Sequence, residues 1–169
     1  MPFLRLLGPS RVGDERDSER AVLLVCSSGG HLAQLHQLKP WWERRRRAWV
    51  CFDTADGKSL LAGESVHWAA RPTTRNIPNL LRNLRLAWRL CRRRHVELVV
   101  SNGAGVALPF FVIARLRRIP TVYIEIYDRI NEYPTLTGRL CYPFTTLFLL
   151  QWEEQRRFYP RGVLIGPLF

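Results

Sequence analysis

The chain has 169 residues, of which 47% are hydrophobic and 24% charged, a composition typical of one globular domain and unlike that of a disordered segment. Twenty-six Lys and Arg residues against 14 Asp and Glu residues give a net charge of +12. Such a charge attracts polyanions, so composition alone leaves both nucleic acid and an anionic membrane surface open as partners.

Residues 1–19 are predicted to form a flexible leader, because their apolar part is too short for a secretory signal and a charged stretch follows it. The longest uncharged run, residues 98–114, contains a glycine turn and a proline. That pattern favours a strand, a turn and a buried helix over a membrane-spanning helix, so any membrane contact is expected to be peripheral. The four cysteines lie far apart in the sequence, without the spacing of metal ligands, and each lies in or beside an apolar stretch. They are therefore predicted to be buried free thiols.

From residue 20 onward, short β-prone apolar runs alternate with stretches of helical spacing. This alternation predicts an α/β protein with a Rossmann-like, doubly wound and mainly parallel sheet, forming a single domain over residues 20–169. Ligands of such sheets bind at the carboxyl ends of the strands. Strands are predicted at 21–26, 48–52, 66–69, 96–100, 121–126, 147–150 and 163–165, and helices at 32–42, 76–94, 107–117, 137–144 and 153–158.

Two glycine turns, at residues 27–31 and 101–105, each follow a predicted strand and precede a helix. Glycine lets the backbone approach a ligand closely, and the helix behind each turn presents N–H groups suited to phosphate. The alternative is that glycine serves only the tight geometry of the turn. Neither turn matches the dinucleotide or P-loop pattern. The candidate diphosphate-binding residues are Ser28, Gly29, Gly30, Asn102, Gly103, Ala104 and Gly105.

Two side chains at the carboxyl ends of predicted strands, His31 and Glu125, are candidates for acid–base catalysis. His31 begins the first helix, where the helix dipole is expected to lower its pKa and keep the imidazole neutral, as a general base requires. A histidine that only hydrogen-bonds within the turn is the alternative. Glu125 lies between two isoleucines at a strand end, so its carboxylate is expected to meet a substrate hydroxyl or to pair with Arg129.

The predicted helix at residues 76–94 carries leucines and arginines on different sides. Arginines on the polar side of an amphipathic helix can lie on an anionic bilayer, and Arg82, Arg85, Trp88 and Arg89 are the candidates for that contact. The alternative is a crossover helix that packs on the sheet, with Leu81 and Leu84 in the core.

Five motifs together, SSGGHLAQL, RPTTRNIPNL, SNGAGVALPFF, IEIYDRIN and QWEEQRRFYP, resemble the asparagine-linked glycosylation protein 14 family. The resemblance extends to bacterial PssD-type and capsular-polysaccharide enhancer proteins and covers residues 21–169. It implies the N-terminal half of a MurG-like GT-B glycosyltransferase, with a separate donor-binding subunit of the protein 13 or PssE type. Chain length agrees with one of the two Rossmann-like domains that such an enzyme needs.

The resemblance also implies roles for individual residues. The two glycine loops, together with Arg129, would hold the pyrophosphate of a polyprenyl-linked sugar acceptor, with His31 as the base and Glu125 as the acidic residue at the acceptor. Transfer from a UDP-sugar would invert the anomeric carbon without a cofactor or metal. The tail, Gly166, Pro167, Leu168 and Phe169, would dock on the donor subunit. The leader lacks a convincing membrane helix, so the Arg-rich helix and the surface near Phe110 and Phe111 are expected to contact the cytoplasmic face of the cell membrane.

Two other functions remain open at this point. A non-catalytic scaffold that recruits and activates a transferase would share the membrane contact but tolerate the loss of His31 and Glu125. A nucleic-acid-binding module is favoured only by the charge, because the aromatic residues are not interleaved with the arginine runs. The sequence leaves the transferred sugar open, and N-acetylglucosamine, glucuronic acid, galactose and glucose are all compatible with it.

Overall fold

A computed structural model of the chain describes residues 20–92, 95–126 and 134–168. The predicted leader at residues 1–19, together with Arg129 and Phe169, lies outside the described residues.

All seven described strands join one sheet in the order β3-β2-β1-β4-β5-β6-β7, and every neighbouring pair is parallel. The predicted doubly wound α/β fold is confirmed. Each predicted strand is present within two residues of its expected bounds. The strands are β1 (Ala21–Val25), β2 (Arg47–Phe52), β3 (Val66–Ala69), β4 (Val96–Ser101), β5 (Thr121–Ile124), β6 (Leu147–Leu150) and β7 (Val163–Leu164).

In the described parts of the chain, six α-helices connect these strands, and several begin at a side chain that accepts a backbone N–H of the first turn. Thr54 caps α3, Asn76 caps α4 and Thr135 caps α6. Short 3-10 helices occupy Tyr142–Phe144 and Glu153–Arg157. The helices are α1 (Gly30–His36), α2 (Lys39–Trp42), α3 (Ala55–Leu60), α4 (Ile77–Leu90), α5 (Ala107–Leu116) and α6 (Leu136–Cys141).

The sheet separates two apolar cores. One core joins the sheet to α4, α5 and α6, and the other joins it to α1, α2 and the C-terminal Leu168. All four cysteines are free and buried, as predicted, with Cys91 and Cys141 in the first core and Cys26 and Cys51 in the second.

Helix α5 is apolar around most of its circumference, and a helix of that kind is normally buried. Phe110 and Phe111 on this helix are each 0% exposed, within the core that α5 shares with the sheet. The expectation that these two residues contact a membrane is therefore wrong.

Helix α4 turns a different side to the sheet than its leucines suggested. Asn79, Asn83 and Ala87 are its buried residues, whereas Leu81 is 55% exposed, so the placement of Leu81 in the core is wrong. Leu84 packs against the core as expected. Within the described ranges, none of the helices is long and apolar enough to cross a bilayer.

Candidate functional site

The strand order reverses between β1 and β4, which are neighbours although two strands separate them in the chain. Helices leave such a pair toward opposite faces of the sheet, so a crevice opens at the carboxyl ends of the two strands. The two glycine turns, residues 27–31 after β1 and 101–105 after β4, lie at this point. The fold therefore brings the two candidate phosphate-binding turns together.

His31 and Gly103 meet across the crevice. A Cβ atom added to Gly103 would lie 3.3 Å from His31 Nε2 and 3.0 Å from Tyr123 Oη. Gly103 also has a φ of +117°, which side chains with a Cβ rarely adopt. The imidazole thus rests against a backbone position that only glycine can fill without crowding it.

Asn102 ties the second turn to the first. Its side-chain Nδ2 donates to the His31 carbonyl oxygen at 2.8 Å and to Gln34 Oε1 at 3.2 Å. The Asn102 side chain is buried, so these bonds are shielded from water. Asn102 is therefore a brace between the two turns, and its role in binding a diphosphate stays a prediction.

The first turn is hydrogen-bonded to a carboxylate from elsewhere in the chain, a contact that the sequence did not predict. Gly29 N donates to Asp56 Oδ2 at 2.7 Å, and Asp56 belongs to α3, a helix missing from the predicted elements. Hydrogen bonds from the Thr54 hydroxyl and then from Gly29 N hold the pKa of Asp56 below its ordinary value. The Gly29 N–H is therefore occupied, and a phosphate would have to displace a carboxylate to use it.

The loop after β3 contacts the second turn and was also missing from the candidate residues. A Cβ on Gly105 would lie 2.8 Å from Thr73 Oγ1, so Thr73 and Gly105 are in close contact. The buried asparagines of α4 hold this loop: Asn83 bonds both backbone groups of Ala70, and Asn79 Nδ2 donates to the Pro72 carbonyl. Two exposed arginines, Arg71 and Arg75, lie on the same loop.

Glu125 follows β5 and is 1% exposed, which corrects the expectation that its carboxylate faces an acceptor. Its Oε1 accepts from Thr135 Oγ1 at 2.7 Å, and Thr135 in turn caps α6 by accepting from Gly138 N at 3.0 Å. Burial raises the pKa of Glu125 to about 7, although the bonds from Thr135 lower it. The carboxyl therefore stabilises the start of α6 from inside the domain.

The C-terminal segment after β7 divides between surface and core. Pro167 is exposed and Gly166 is half-buried, so both remain compatible with contact to a partner. Leu168 is buried in the core with α1 and α2, and its N–H donates to Gln151 Oε1 at 3.0 Å. The expectation that the Leu168 side chain docks on another subunit is therefore wrong for this structure.

The family described as "Oligosaccharide biosynthesis protein Alg14 like" matches residues 70–168. The UDP-N-acetylglucosamine transferase subunit ALG14 of Mus musculus is 25% identical over 95% of this chain and 88% of its own length. The subunit of the same name from Eremothecium gossypii is 27% identical over 94% of this chain and 84% of its own.

A bacterial enzyme and two solved structures extend the comparison. The UDP-N-acetylglucosamine–N-acetylmuramyl-(pentapeptide) pyrophosphoryl-undecaprenol N-acetylglucosamine transferase of Syntrophotalea carbinolica is 34% identical over 54% of this chain and 24% of its own. Acinetobacter baumannii MurG superposes with a TM-score of 0.64 at 20% identity, over 86% of this chain. The UDP-N-acetylglucosamine 2-epimerase of Rickettsia bellii superposes with a TM-score of 0.70 at 10% identity, over 89% of this chain. This chain spans 45% of each of those two structures, and both likenesses show the fold alone.

The buried Glu125 carboxyl is expected to make stability depend on pH. Its pKa of about 7 exceeds the ordinary value of 4.5, so between these values the folded state holds a proton that the unfolded chain releases. The unfolding free energy therefore falls as the pH rises through this window, by up to about 3 kcal/mol. Glu125→Gln keeps an acceptor for Thr135 and has no proton to release. In urea denaturation, the unfolding free energy of the variant relative to that of the wild type should rise by about 2 to 3 kcal/mol between about pH 5 and about pH 8. A constant difference between the two proteins would contradict a neutral buried carboxyl.

Gly103→Ala should destabilise the domain and displace His31. A left-handed backbone costs a residue with a Cβ roughly 1–2 kcal/mol, and the new Cβ also crowds His31 and Tyr123. Gly63→Ala is the matched control, because Gly63 has a φ of +83° and nothing within 4 Å of the added Cβ. We expect the larger loss of unfolding free energy, and a changed NMR signal of the His31 imidazole, only at Gly103. Equal losses with an unchanged His31 signal would show that the contact is unimportant.

Proposed function

Because the chain belongs to the Alg14-like family of oligosaccharide biosynthesis proteins, we propose that it is the acceptor-binding and membrane-recruiting subunit of a two-part UDP-sugar glycosyltransferase. The curated relatives named as UDP-N-acetylglucosamine transferase subunits align over most of their own length, which supports a subunit role and N-acetylglucosamine as the sugar transferred. The donor-binding partner is of the protein 13 or PssE type. The acceptor is a polyprenyl-pyrophosphate-linked sugar used for polysaccharide or lipid-linked oligosaccharide synthesis.

The observation that carries this proposal is the position of His31. Its imidazole lies against Gly103 at the point where strand order reverses, between two glycine turns. An acceptor hydroxyl in this crevice would reach a nitrogen base, while the turns and the nearby loop would hold the phosphates.

In the proposed reaction, the hydroxyl oxygen of the acceptor attacks the anomeric carbon of the UDP-sugar as His31 takes the hydroxyl proton. The bond from that carbon to the UDP oxygen breaks, UDP leaves with the bonding electrons, and the anomeric configuration inverts. The partner stabilises the departing UDP. No cofactor or metal takes part in these steps.

The second glycine turn is the better candidate for the pyrophosphate. The Gly29 N–H already bonds to Asp56, whereas Ala104 and Gly105 are half-exposed beside the loop that carries Arg71 and Arg75. Arginine forks match phosphate oxygens in geometry and charge. We place the pyrophosphate between the second turn and this loop, with its sugar toward His31.

Membrane recruitment is assigned to one side of α4. Ile77 is 70% exposed and Trp88 is 54% exposed, and with Leu81 they form an apolar stripe along the helix. A row of exposed arginines adjoins the stripe, and the Arg117 guanidinium lies 3.9 Å over the Trp88 ring. We call Ile77, Leu81, Arg82, Arg85, Trp88 and Arg89 the basic-apolar patch, and we propose that it rests on the cytoplasmic face of the cell membrane.

The proposed function is tested by reconstituting sugar transfer. Transfer from each of a panel of UDP-sugars to a polyprenyl-pyrophosphate-linked monosaccharide in vesicles is measured in three samples. These contain this chain alone, its candidate partner alone, and both together. We expect transfer only, or mainly, in the mixture, with UDP-N-acetylglucosamine as the donor. His31→Ala should lower turnover by roughly a hundredfold or more while the two chains still associate, because a positioned base contributes that much.

The control variant is His95→Ala, which removes an exposed histidine from the opposite end of β4. Near-normal turnover of the His31 variant would favour the non-catalytic scaffold. The absence of transfer from every donor by a folded, membrane-bound pair would refute the two-part enzyme.

Charge-neutral variants of the basic-apolar patch test the membrane contact. Each arginine near an anionic surface contributes about 1 kcal/mol, so Arg85→Gln with Arg89→Gln should weaken binding to anionic vesicles by roughly thirtyfold. Trp88→Ser should weaken binding to neutral vesicles as well, because the loss is apolar. Co-sedimentation with vesicles of the two compositions measures both effects.

Arg20→Gln with Arg44→Gln makes the same change in net charge at exposed sites outside the patch, and Trp68→Ser removes an exposed tryptophan of β3. Losses of binding as large in these controls would show that general charge or hydrophobicity, and not this patch, drives the association.

A further inference from the structure

A chain of buried amide side chains crosses the carboxyl ends of the central strands. Asn102 Nδ2 donates to Gln34 Oε1 at 3.2 Å, and Gln34 Nε2 donates to Gln151 Oε1 at 3.4 Å. We call Asn102, Gln34 and Gln151 the amide chain. It joins the end of β4 to the end of β6 through α1.

Backbone groups fix both ends of the amide chain. At one end Asn102 donates to the His31 carbonyl oxygen, which can only accept. At the other end Gln151 Oε1 accepts from Leu168 N, which can only donate, and Gln151 Nε2 donates to the Glu125 carbonyl at 2.9 Å. Each carboxamide therefore has a single orientation that satisfies these bonds.

The surroundings make every bond in the amide chain costly to lose. All three side chains are buried, and Gln34 lies in the chain between Leu32 and Leu35, which both belong to an apolar core. A buried polar group that loses its partner costs about 1–3 kcal/mol, so the three amides keep or lose their arrangement together. Apolar side chains could fill the same space. The hydrogen bonds of the amide chain also fix the orientation of the groups that they join, which apolar packing does not.

We infer that Gln34 and Gln151 are positioning residues, which hold the His31 backbone and the Asn102 turn in register with the C-terminal segment at Leu168. Neither glutamine takes part in the proposed chemistry itself. The inference rests on the proposed function, in which His31 is the general base. If the donor subunit docks on the exposed part of the C-terminal segment, the amide chain transmits that docking to the base.

The first experiment reads the coupling without any activity. Leu168→Pro deletes the N–H that donates to Gln151, whereas Leu168→Ala shortens the side chain and keeps that N–H. NMR signals of the His31 imidazole and of the Asn102 side-chain amide are compared in the two full-length variants. We expect both signals to shift in Leu168→Pro and to stay near the wild-type positions in Leu168→Ala. Unshifted signals in Leu168→Pro, or equal shifts in both variants, would overturn the inference.

The second experiment uses the reconstituted pair. Gln34→Met and Gln151→Met keep the side-chain length without its hydrogen bonds, and Gln37→Met is the control at the exposed C-cap residue that follows α1. A misplaced base lowers turnover more than binding, so we expect roughly a tenfold fall in kcat, with KM for both substrates within about twofold of the wild type. The double variant should lose no more than either single one, because each breaks the same chain.

Additive losses in the double variant, or a change confined to KM, would refute the positioning role. The two experiments also separate the two proposals. A wild-type pair without transfer would refute the proposed function, while the Leu168 spectra would still decide whether the C-terminal segment is coupled to His31. If Gln151→Met does not fold, the Leu168 comparison decides that coupling alone.

Discussion

The reversal of strand order between β1 and β4 is the constraint on which the site depends. On one side of this boundary the chain winds toward β3, and on the other it winds toward β7, so the helices following β1 and β4 lie on opposite faces of the sheet. Only at this boundary does the strand-end edge open between two helix layers. The two glycine turns are useful as a pair because the topology places their strands side by side.

Among the described residues, most of the buried polar side chains lie near this edge. Glu125 stabilises the start of α6, Asn102 braces the first turn, and Asn79 and Asn83 hold the loop that meets Gly105. Elsewhere the two cores are mainly apolar, and close packing is sufficient to hold them. The site therefore depends on directional bonds, which fix orientation more narrowly than apolar contacts do.

The sequence was most informative where a single local pattern decided the outcome. Apolar runs located the seven described strands, and glycine located both turns. The family resemblance is confirmed by the match over residues 70–168. Helix α3 was missing from the predicted elements because it is short and polar and contains a glycine. The bond between Asp56 and Gly29 joins positions far apart in the chain, so no local pattern encodes it. The exposure of Leu81 was not predicted because hydropathy does not show that Asn83 has hydrogen-bond partners on the backbone of Ala70, which let it take a buried position on α4.

The distribution of the four cysteines has a practical consequence. Two lie in each core, one pair on either face of the sheet, and all four are shielded from water. A thiol reagent can reach them only when the surrounding layer opens, so the alkylation rate of each cysteine reports how often its own side of the sheet opens. The domain thus contains a built-in reporter of local opening, which can distinguish loosening of the α4–α6 layer from loosening of the α1–α2 layer without any added label.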